Sequence, residues 1–124
     1  MTLLISLWSF YGRIGRRAYF FGQFSNIMLG SAYLFALIRL DPALEGLPPE
    51  TRDVYFAIFV GLGLFFFFWL HLALSAKRFH DLGNSGWFVL LLPVPIIGFL
   101  WFLYLLFGRG QDGDNDYGPA RRVS

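Results

Sequence analysis

The sequence contains no cysteine and has few charged residues for its length. Without cysteine there is no disulfide framework, no thiol nucleophile and no cysteine-based metal site. Charged residues make up 15% of the 124 residues, whereas soluble domains average about 25%. The formal net charge of +2 is too small to indicate a nucleic-acid partner, so that class of function is excluded.

Apolar and aromatic residues are in excess. Hydrophobic residues make up 56% of the chain and aromatic residues 21%. A soluble domain of this size exposes too much surface to bury so many apolar side chains. The composition therefore indicates a bilayer protein rather than a water-soluble globule, provided that the apolar residues form spans of about 20 residues.

Three charge-free apolar segments have the length of membrane spans. They cover residues 18–38, 54–76 and 87–107, and charged residues lie close to the ends of each. At a rise of about 1.5 Å per residue, each segment is long enough as a helix to cross a hydrocarbon core of about 30 Å. The sequence therefore predicts an all-α integral membrane protein with three transmembrane helices, since only helices satisfy their own backbone groups segment by segment in lipid.

The other residues form the ends and connections of a single membrane domain. Residues 1–17 combine Leu, Trp and Phe with Arg, a mixture typical of a short segment lying in the membrane interface. Residues 39–53 form a polar loop interrupted by proline, and 77–86 form a short basic loop. Residues 108–124 form a polar tail that is rich in Gly and Asp.

Two prolines lie inside the third apolar segment. Proline removes a backbone hydrogen bond and kinks a helix, so we expect a complete third span with a kink at Pro93, Pro95 and Gly98. The alternative is that the chain turns back at the prolines, which would return the tail to the side from which the third segment starts.

The distribution of Lys and Arg does not decide the topology of three complete spans. Five basic residues would lie on each side of the membrane, whereas re-entry at the prolines would place eight on one side and two on the other. The first helix usually dominates, and more Arg precede it than follow it. We therefore expect the amino terminus inside, in the cytoplasm, and the tail outside.

Polar residues of the first two spans are expected to meet. Gln23 lies five residues inside the first span and His71 lies five residues inside the end of the second, so antiparallel helices place them at similar depth. Asn26 and Ser75 lie one helical turn away, which predicts an intramembrane polar layer of Gln23, Asn26, His71 and Ser75. We interpret this layer as packing between helices, with a proton or ligand site at His71 as the alternative.

The densest group of functional side chains follows the second span, in Lys77, Arg78, Phe79, His80 and Asp81. With the arginines before the first span it predicts a basic face for an anionic lipid or a protein partner. The candidates for that role are Arg13, Arg16, Arg17, Lys77, Arg78, His80 and Asp81. Asp81 could instead cap the next turn or pair with an arginine of the amino-terminal segment, such as Arg13 or Arg17.

No catalytic residue, metal site or cofactor is predicted. His80 and Asp81 point about 100° apart on a helix, and no nucleophile motif or phosphate loop accompanies them. Asp112, Asp114 and Asp116 alternate as at the start of a calcium loop, but the later positions that require Gly and Glu hold other residues.

Several short motifs follow one another in a specific order. They are an aromatic-Gly-Arg element at 11–13, a basic run ending in His-Asp at 77–81, Ser-Gly-Trp at 85–87, Pro-x-x-Gly at 95–98 and Gly-x-Asn-x-Tyr-Gly-Pro at 113–119. In this order they resemble the domain-of-unknown-function 805 family of small bacterial inner-membrane proteins. Lys77 and Phe79 replace the Arg and Leu usual in that family, and Asp116 stands where it commonly has Arg. The resemblance implies an inner-membrane protein of about three spans and no established activity.

Three functions remain open. The first is a non-enzymatic module that binds a partner protein or an anionic lipid through its basic inner face, and the small size and the charge-free spans favour it. The second is a subunit of an oligomeric transporter or channel, because three helices alone cannot enclose much of a pore. The third is a membrane-interface enzyme that uses His80 and Asp81. The expected partners are the lipid bilayer, an anionic phospholipid, and a protein partner or further copies of the chain.

Overall fold

A computed structural model describes residues 7–119 of the chain, and these residues are all-helical apart from turns and extended connections. The α-helices are α1 (Arg16–Leu40), α2 (Pro49–Asp81) and α3 (Pro95–Phe107). Short 3₁₀ helices cover Asp41–Leu44 and Gly86–Leu91. Helices α1 and α2 are long and apolar enough to cross a membrane, and the predicted all-α class is confirmed for the described residues.

Local sequence signals fix the ends of α2. The helix begins with Pro49 in its first turn, where the missing amide hydrogen costs nothing because it would have no intrahelical partner. It ends before Gly83, which has φ +78°. The amide of Gly83 donates to the His80 carbonyl and that of Asn84 to the Phe79 carbonyl, which is the Schellman pattern of a glycine-terminated helix.

Helices α1 and α2 pack closely because glycines lie in their contact surface. A methyl group on Gly22 would meet the Leu74 side chain at 3.2 Å, and one on Gly30 would meet the Phe67 ring at 3.5 Å. On α2, a methyl group on Gly63 would overlap the Tyr33 ring, whose hydroxyl donates to the Phe59 carbonyl at 2.7 Å. Small residues that allow helix backbones to approach are the usual basis of helix pairing in membranes.

The amino-terminal segment runs along α2 rather than across the helix ends. The Trp8 ring packs edge-on against Phe66 at 4.6 Å, and the Phe10 ring packs against Trp69 at 5.0 Å. The Trp69 indole also donates to the Trp8 carbonyl at 3.2 Å. Part of the predicted interfacial segment, residues 1–6, lies outside the described residues. In the described part, the aromatic rings of Trp8 and Phe10 pack on the aromatic surface of α2, and its position in the membrane interface stays a prediction.

The third apolar segment is not one kinked helix. It consists of the 3₁₀ helix Gly86–Leu91, a turn over 92–94, and α3 (Pro95–Phe107). Phe88 in the first arm packs against Trp101 in the second at 5.2 Å, and both rings contact Phe79 of α2. The segment is therefore a hairpin that folds back onto α2, as in the re-entrant alternative.

Pro93 and Pro95 cause the reversal. Neither proline supplies an amide hydrogen, and Val94 is extended (φ −74°, ψ 120°), as residues before proline usually are. Gly98 then lies directly against the Leu92 carbonyl, where no side chain would fit. A 13-residue α3 is roughly 20 Å long, which is too short to cross a hydrocarbon core of about 30 Å.

The hairpin returns the tail to the end of the helix pair where the amino-terminal segment lies. The Gln111 amide donates to the Asp81 carbonyl at 2.8 Å, and the Arg13 side chain donates to the Gln111 carbonyl at 2.6 Å. We call this the shared end, formed by residues 11–17, 77–86 and 108–119. The structure thus brings the tail and the amino-terminal segment to the same end of the helix pair, as in the re-entrant alternative, and the side of the membrane on which they lie stays a prediction.

Replacing Gly63 by Ala should destabilise the helix pair. The added methyl group overlaps the Tyr33 ring, and overpacking of this kind costs about 1–3 kcal/mol. We expect a lower thermal unfolding temperature in detergent micelles. Gly61→Ala on the same helix is the matched control, since its methyl group would meet no atom within 4 Å. Equal unfolding temperatures for the two variants would contradict the described packing of α1 on α2.

Candidate functional site

A buried carboxylate lies at the centre of the shared end. The Asp81 side chain is fully buried and accepts hydrogen bonds from Arg78 Nη1 at 2.5 Å and from Arg13 Nε at 3.2 Å. The Arg78 side chain is also fully buried, and that of Arg13 is 2% exposed. We call these three side chains the ion cluster. Of the two pairings considered for Asp81, the structure shows the one with Arg13.

Arg78 joins the end of α2 to the end of the hairpin. Its Nε donates to the Leu105 carbonyl at 2.8 Å, and its Nη2 donates to the Gly108 carbonyl at 2.5 Å. Its Nη1 reaches the Ile14 carbonyl at 3.5 Å. These carbonyls include ones at the end of α3, where the last carbonyls of a helix have no intrahelical donor. The guanidinium therefore caps α3 and also neutralises Asp81.

Arg13 joins the amino-terminal segment to the tail. Its Nη1 donates to the Gly113 carbonyl at 2.7 Å and lies within 3.4 Å of the Gly118 and Pro119 carbonyls. Asn115 fixes the same stretch from within, because its side-chain amide donates to the His80 carbonyl at 2.9 Å. The side chains of Arg13 and Asn115 thus hold residues 113–119 of the tail mainly through polar contacts with the backbone.

The ion cluster contains two cations and one anion in a buried site. Removing charges from water is costly, and mutual attraction offsets that cost only when the remaining donors are also satisfied. Here backbone carbonyls of the hairpin and the tail accept hydrogen bonds from N–H groups of Arg13 and Arg78 that do not contact Asp81. Carboxylate–guanidinium hydrogen bonds are strong and directional. The cluster therefore fixes the relative positions of the amino-terminal segment, the end of α2, the hairpin and the tail.

His80 lies beside the ion cluster but takes no part in it. Its Nδ1 is 3.2 Å from the Gly12 carbonyl, and its ring stacks on Tyr117 with centroids 4.2 Å apart. Burial lowers the pKa of the His80 imidazole, and the hydrogen bond to Gly12 opposes that effect. The adjacent His80 and Asp81 therefore have separate partners.

The polar residues of α1 and α2 form one hydrogen-bonded group between the helices. Gln23 Nε2 donates to Ser75 Oγ at 3.2 Å, and Gln23 Oε1 lies 3.0 Å from His71 Nδ1. The Tyr19 hydroxyl, which sequence reasoning missed, lies 3.3 Å from Ser75 Oγ. Asn26 lies one turn further along and donates to the Phe67 carbonyl at 3.0 Å.

A groove about 370 Å³ in volume borders this polar layer. Gln23, Asn26, Ser31 and His71 are its polar lining residues, and Phe102 of α3 forms part of its apolar wall. Within the described residues, Asn26 Oδ1 has no hydrogen-bond partner, although it is buried. The groove therefore places amide and imidazole groups beside the hydrocarbon surface of the helices.

The predicted basic residues separate into buried and exposed groups. Arg13, Arg78 and Asp81 form the ion cluster, and Lys77 is only 4% exposed. Arg16 and Arg17 remain exposed in the first turn of α1, where no side chain caps the helix and no acidic residue lies nearby in sequence. Binding of a lipid or partner by the seven predicted residues stays a prediction. Arg16 and Arg17 are the members of that set that are exposed at the start of α1.

The two arginines border an apolar groove. The groove has a volume of about 360 Å³ and is lined by Arg16, Arg17, Phe20, Phe21, Leu106 and Phe107. It lies where the start of α1 meets the end of α3. Exposed amide hydrogens and the helix dipole favour anions at such a helix start. The arrangement therefore combines an anion-attracting rim with an apolar floor.

Replacing Asp81 by Asn should strongly destabilise the fold. The change leaves two buried guanidinium groups without their counter-ion, and breaking a buried ion pair in this way costs about 3–5 kcal/mol. We expect a large drop in thermal unfolding temperature in detergent. Asp112→Asn is the matched control, because Asp112 pairs with Arg109 on the surface with both side chains 83% exposed, and such pairs contribute little. A similar small effect of both changes would refute the structural role of the ion cluster.

A family model and two relatives each match most of this chain. The family model "Protein of unknown function (DUF805)" matches residues 7–119. The inner membrane protein YhaI of Escherichia coli strain K12 is 32% identical over 118 residues, which cover 95% of this chain and 90% of the relative. The inner membrane protein YhaH of the same strain is 30% identical over 116 residues, covering 92% and 88%. No solved structure gives a significant match. This chain, with its membrane-length helices and its buried Arg-Asp-Arg cluster, belongs to the DUF805 family of membrane proteins.

Proposed function

We propose that this chain is a non-enzymatic membrane module that binds an anionic phospholipid at Arg16 and Arg17. The observation that carries the proposal is the groove in which two exposed guanidinium groups border an apolar floor. A phospholipid has the matching chemistry, since its phosphate would meet the guanidinium groups and its acyl chains would lie along Phe20 and Phe107.

Burial of the ion cluster supports this choice, because its side chains are not available to a lipid. Arg78 and Asp81 bond to each other, and Arg13 bonds to Asp81 and to the tail. An acid–base role for His80 with Asp81 is disfavoured because each side chain is held by different groups. A folded protein partner would need a broad complementary surface, whereas this groove is narrow and apolar, so a lipid fits it better.

The distribution of basic residues between the two ends of the molecule supports one orientation in the membrane. The described basic residues at the shared end are Arg13, Arg16, Arg17, Lys77, Arg78 and Arg109, and those at the opposite end are Arg39 and Arg52. Because short loops that are rich in Lys and Arg stay on the cytoplasmic side, we propose that the shared end faces the cytoplasm. The anionic lipids of the cytoplasmic leaflet would then be within reach of Arg16 and Arg17.

Replacing Arg16 and Arg17 by Ala should reduce retention of anionic lipid. Each basic residue near an anionic surface contributes about 1 kcal/mol, so we expect about a thirtyfold loss of affinity for phosphatidylglycerol in the double variant. Native mass spectrometry after purification in a mild detergent gives the measurement. Phosphatidylethanolamine provides the zwitterionic comparison.

The matched control removes the same net charge from other exposed sites, in the double variant Arg39→Ala and Arg109→Ala. This control should retain phosphatidylglycerol at the wild-type level. Equal losses in the two double variants would mean that net charge rather than the groove determines lipid retention, and the proposed site would then be rejected.

The absence of cysteine makes the topology directly testable. Single cysteines replacing Tyr11 and Asp112, both highly exposed at the shared end, should react with a membrane-impermeant maleimide only after the cells are broken. A cysteine replacing Gly46, whose surroundings are open, should react in intact cells. Labelling of Tyr11→Cys and Asp112→Cys from opposite sides would contradict the hairpin. Labelling of both in intact cells would show the reverse orientation.

A further inference from the structure

A second cavity lies at the shared end, apart from the groove at Arg16 and Arg17. It has a volume of about 490 Å³ and lies among the amino-terminal segment, α2, the first arm of the hairpin and the tail. Apolar and aromatic side chains form most of its wall, among them Phe10, Tyr11, Leu72, Trp87, Leu90 and Tyr117. His80, Ser85 and Gly86 complete the lining.

The hydrogen bonds of His80 determine which ring atom can meet a ligand. A carbonyl oxygen only accepts, so the contact between His80 Nδ1 and the Gly12 carbonyl places the ring proton on Nδ1. In the neutral imidazole Nε2 is then a hydrogen-bond acceptor. Stacking on Tyr117, with an interplanar angle of 4°, holds the ring in this orientation.

Gly86 keeps the space in front of Nε2 open. A methyl group at this position would lie 2.8 Å from His80 Nε2, too close for any real contact. The backbone conformation does not require glycine at position 86, because the φ of Gly86 does not lie in the left-handed region, whereas that of Gly83 does. The absence of a side chain at Gly86 therefore leaves room beside the imidazole acceptor.

We propose that this cavity binds an amphiphile with an uncharged hydroxyl head, which donates a hydrogen bond to His80 Nε2. The apolar body of the ligand lies along Trp87, Leu90 and Tyr11. Lipid alcohols of the bilayer and free long-chain alcohols share this chemistry. The site does not depend on the proposed anionic-lipid groove, because its polar group is a hydrogen-bond acceptor rather than a pair of cations.

The acceptor at Nε2 selects against charged heads. A carboxylate or phosphate would direct its lone pairs at the lone pair of Nε2. An ammonium head would lie at a basic end of the molecule, and none of the described residues that line the cavity is a carboxylate. The nearby Asp81 is already paired with two arginines. A neutral donor is the head group that remains.

Nitrogen NMR of the imidazole rings tests the proposal in the full chain. The sequence has two histidines, so ¹⁵N-histidine labelling gives simple spectra in micelles, with His71 as the internal reference. Adding 1-decanol should shift the His80 Nε2 resonance in a saturable manner and leave His71 unchanged. Decanoate and decylammonium should produce no saturable shift. An equal response to decanoate, or equal shifts of both histidines, would overturn the proposal.

Two variants make the test specific. Gly86→Ala fills the space in front of Nε2, so it should weaken decanol binding about tenfold or more, whereas Gly46→Ala in an open loop should not. Should Gly86→Ala fail to fold, His80→Phe keeps the stacked ring but removes the acceptor. That variant should lose photolabelling of the peptide containing Trp87 and Leu90 by a diazirine-bearing decanol, and His80→Gln should partly restore it. Unchanged labelling in His80→Phe would overturn the proposal.

The sources of the ligand can be separated by a second labelling arm. Nanodiscs with and without diacylglycerol, at constant phosphatidylglycerol content, are labelled with the same decanol probe. Competition by diacylglycerol identifies a bilayer lipid as the occupant, whereas competition by soluble decanol alone identifies a free alcohol. Competition by neither would overturn the proposal. Loss of the Arg16 and Arg17 groove should leave this labelling unchanged, so failure of one site is distinguishable from failure of the other.

Discussion

The fold of the shared end depends on a single buried carboxylate. Asp81 pairs with Arg78, which caps α3, and with Arg13, which holds the tail. Each guanidinium then uses its other donors on backbone carbonyls that belong to segments far apart in the sequence. Because a planar guanidinium makes several fixed, parallel hydrogen bonds, a small number of side chains can hold parts of the chain that bury little apolar surface.

This arrangement explains why the most distinctive motif of the sequence is also one of its least accessible parts. The basic run after α2 has the composition of a lipid-facing patch, yet Arg78 is fully buried and Lys77 is 4% exposed. Composition alone does not separate a basic residue that faces lipid headgroups from one that faces backbone carbonyls. Among the residues predicted to bind a lipid or partner, the exposed arginines are Arg16 and Arg17 in the first turn of α1, where they border an apolar groove.

Much of the helix pair could be predicted from the sequence. Counting residues from the ends of two antiparallel spans places Gln23 level with His71, and the structure joins them by a hydrogen bond. The glycines one turn before and after Asn26 both face α2. The spacing of residues along a helix carries this information because the rise per residue of an α-helix is known.

The hairpin could not be predicted in the same way. A charge-free run of 21 residues satisfies the length criterion for a span whether or not it reverses, and two prolines are compatible with either outcome. The choice depends on contacts distant in sequence, such as the bond from Arg78 to the Leu105 carbonyl and the packing of Phe88 on Trp101. The Gly86 cavity was missed for a similar reason, since only the folded chain places His80 Nε2 in front of that glycine. The tie in basic residues was itself a product of assuming three full spans, because re-entry distributes those residues unequally.

The half-length hairpin also gives the molecule an unequal cross-section along the membrane normal. At the Asp41 end the structure consists of two helices and their connection, whereas at the shared end the two arms of the hairpin and residues 7–15 lie beside the same two helices. In a bilayer such a wedge would displace more lipid from one leaflet than from the other. Each inserted copy would then expand one monolayer relative to the other, and the lateral pressure within that monolayer would act directly on the hairpin.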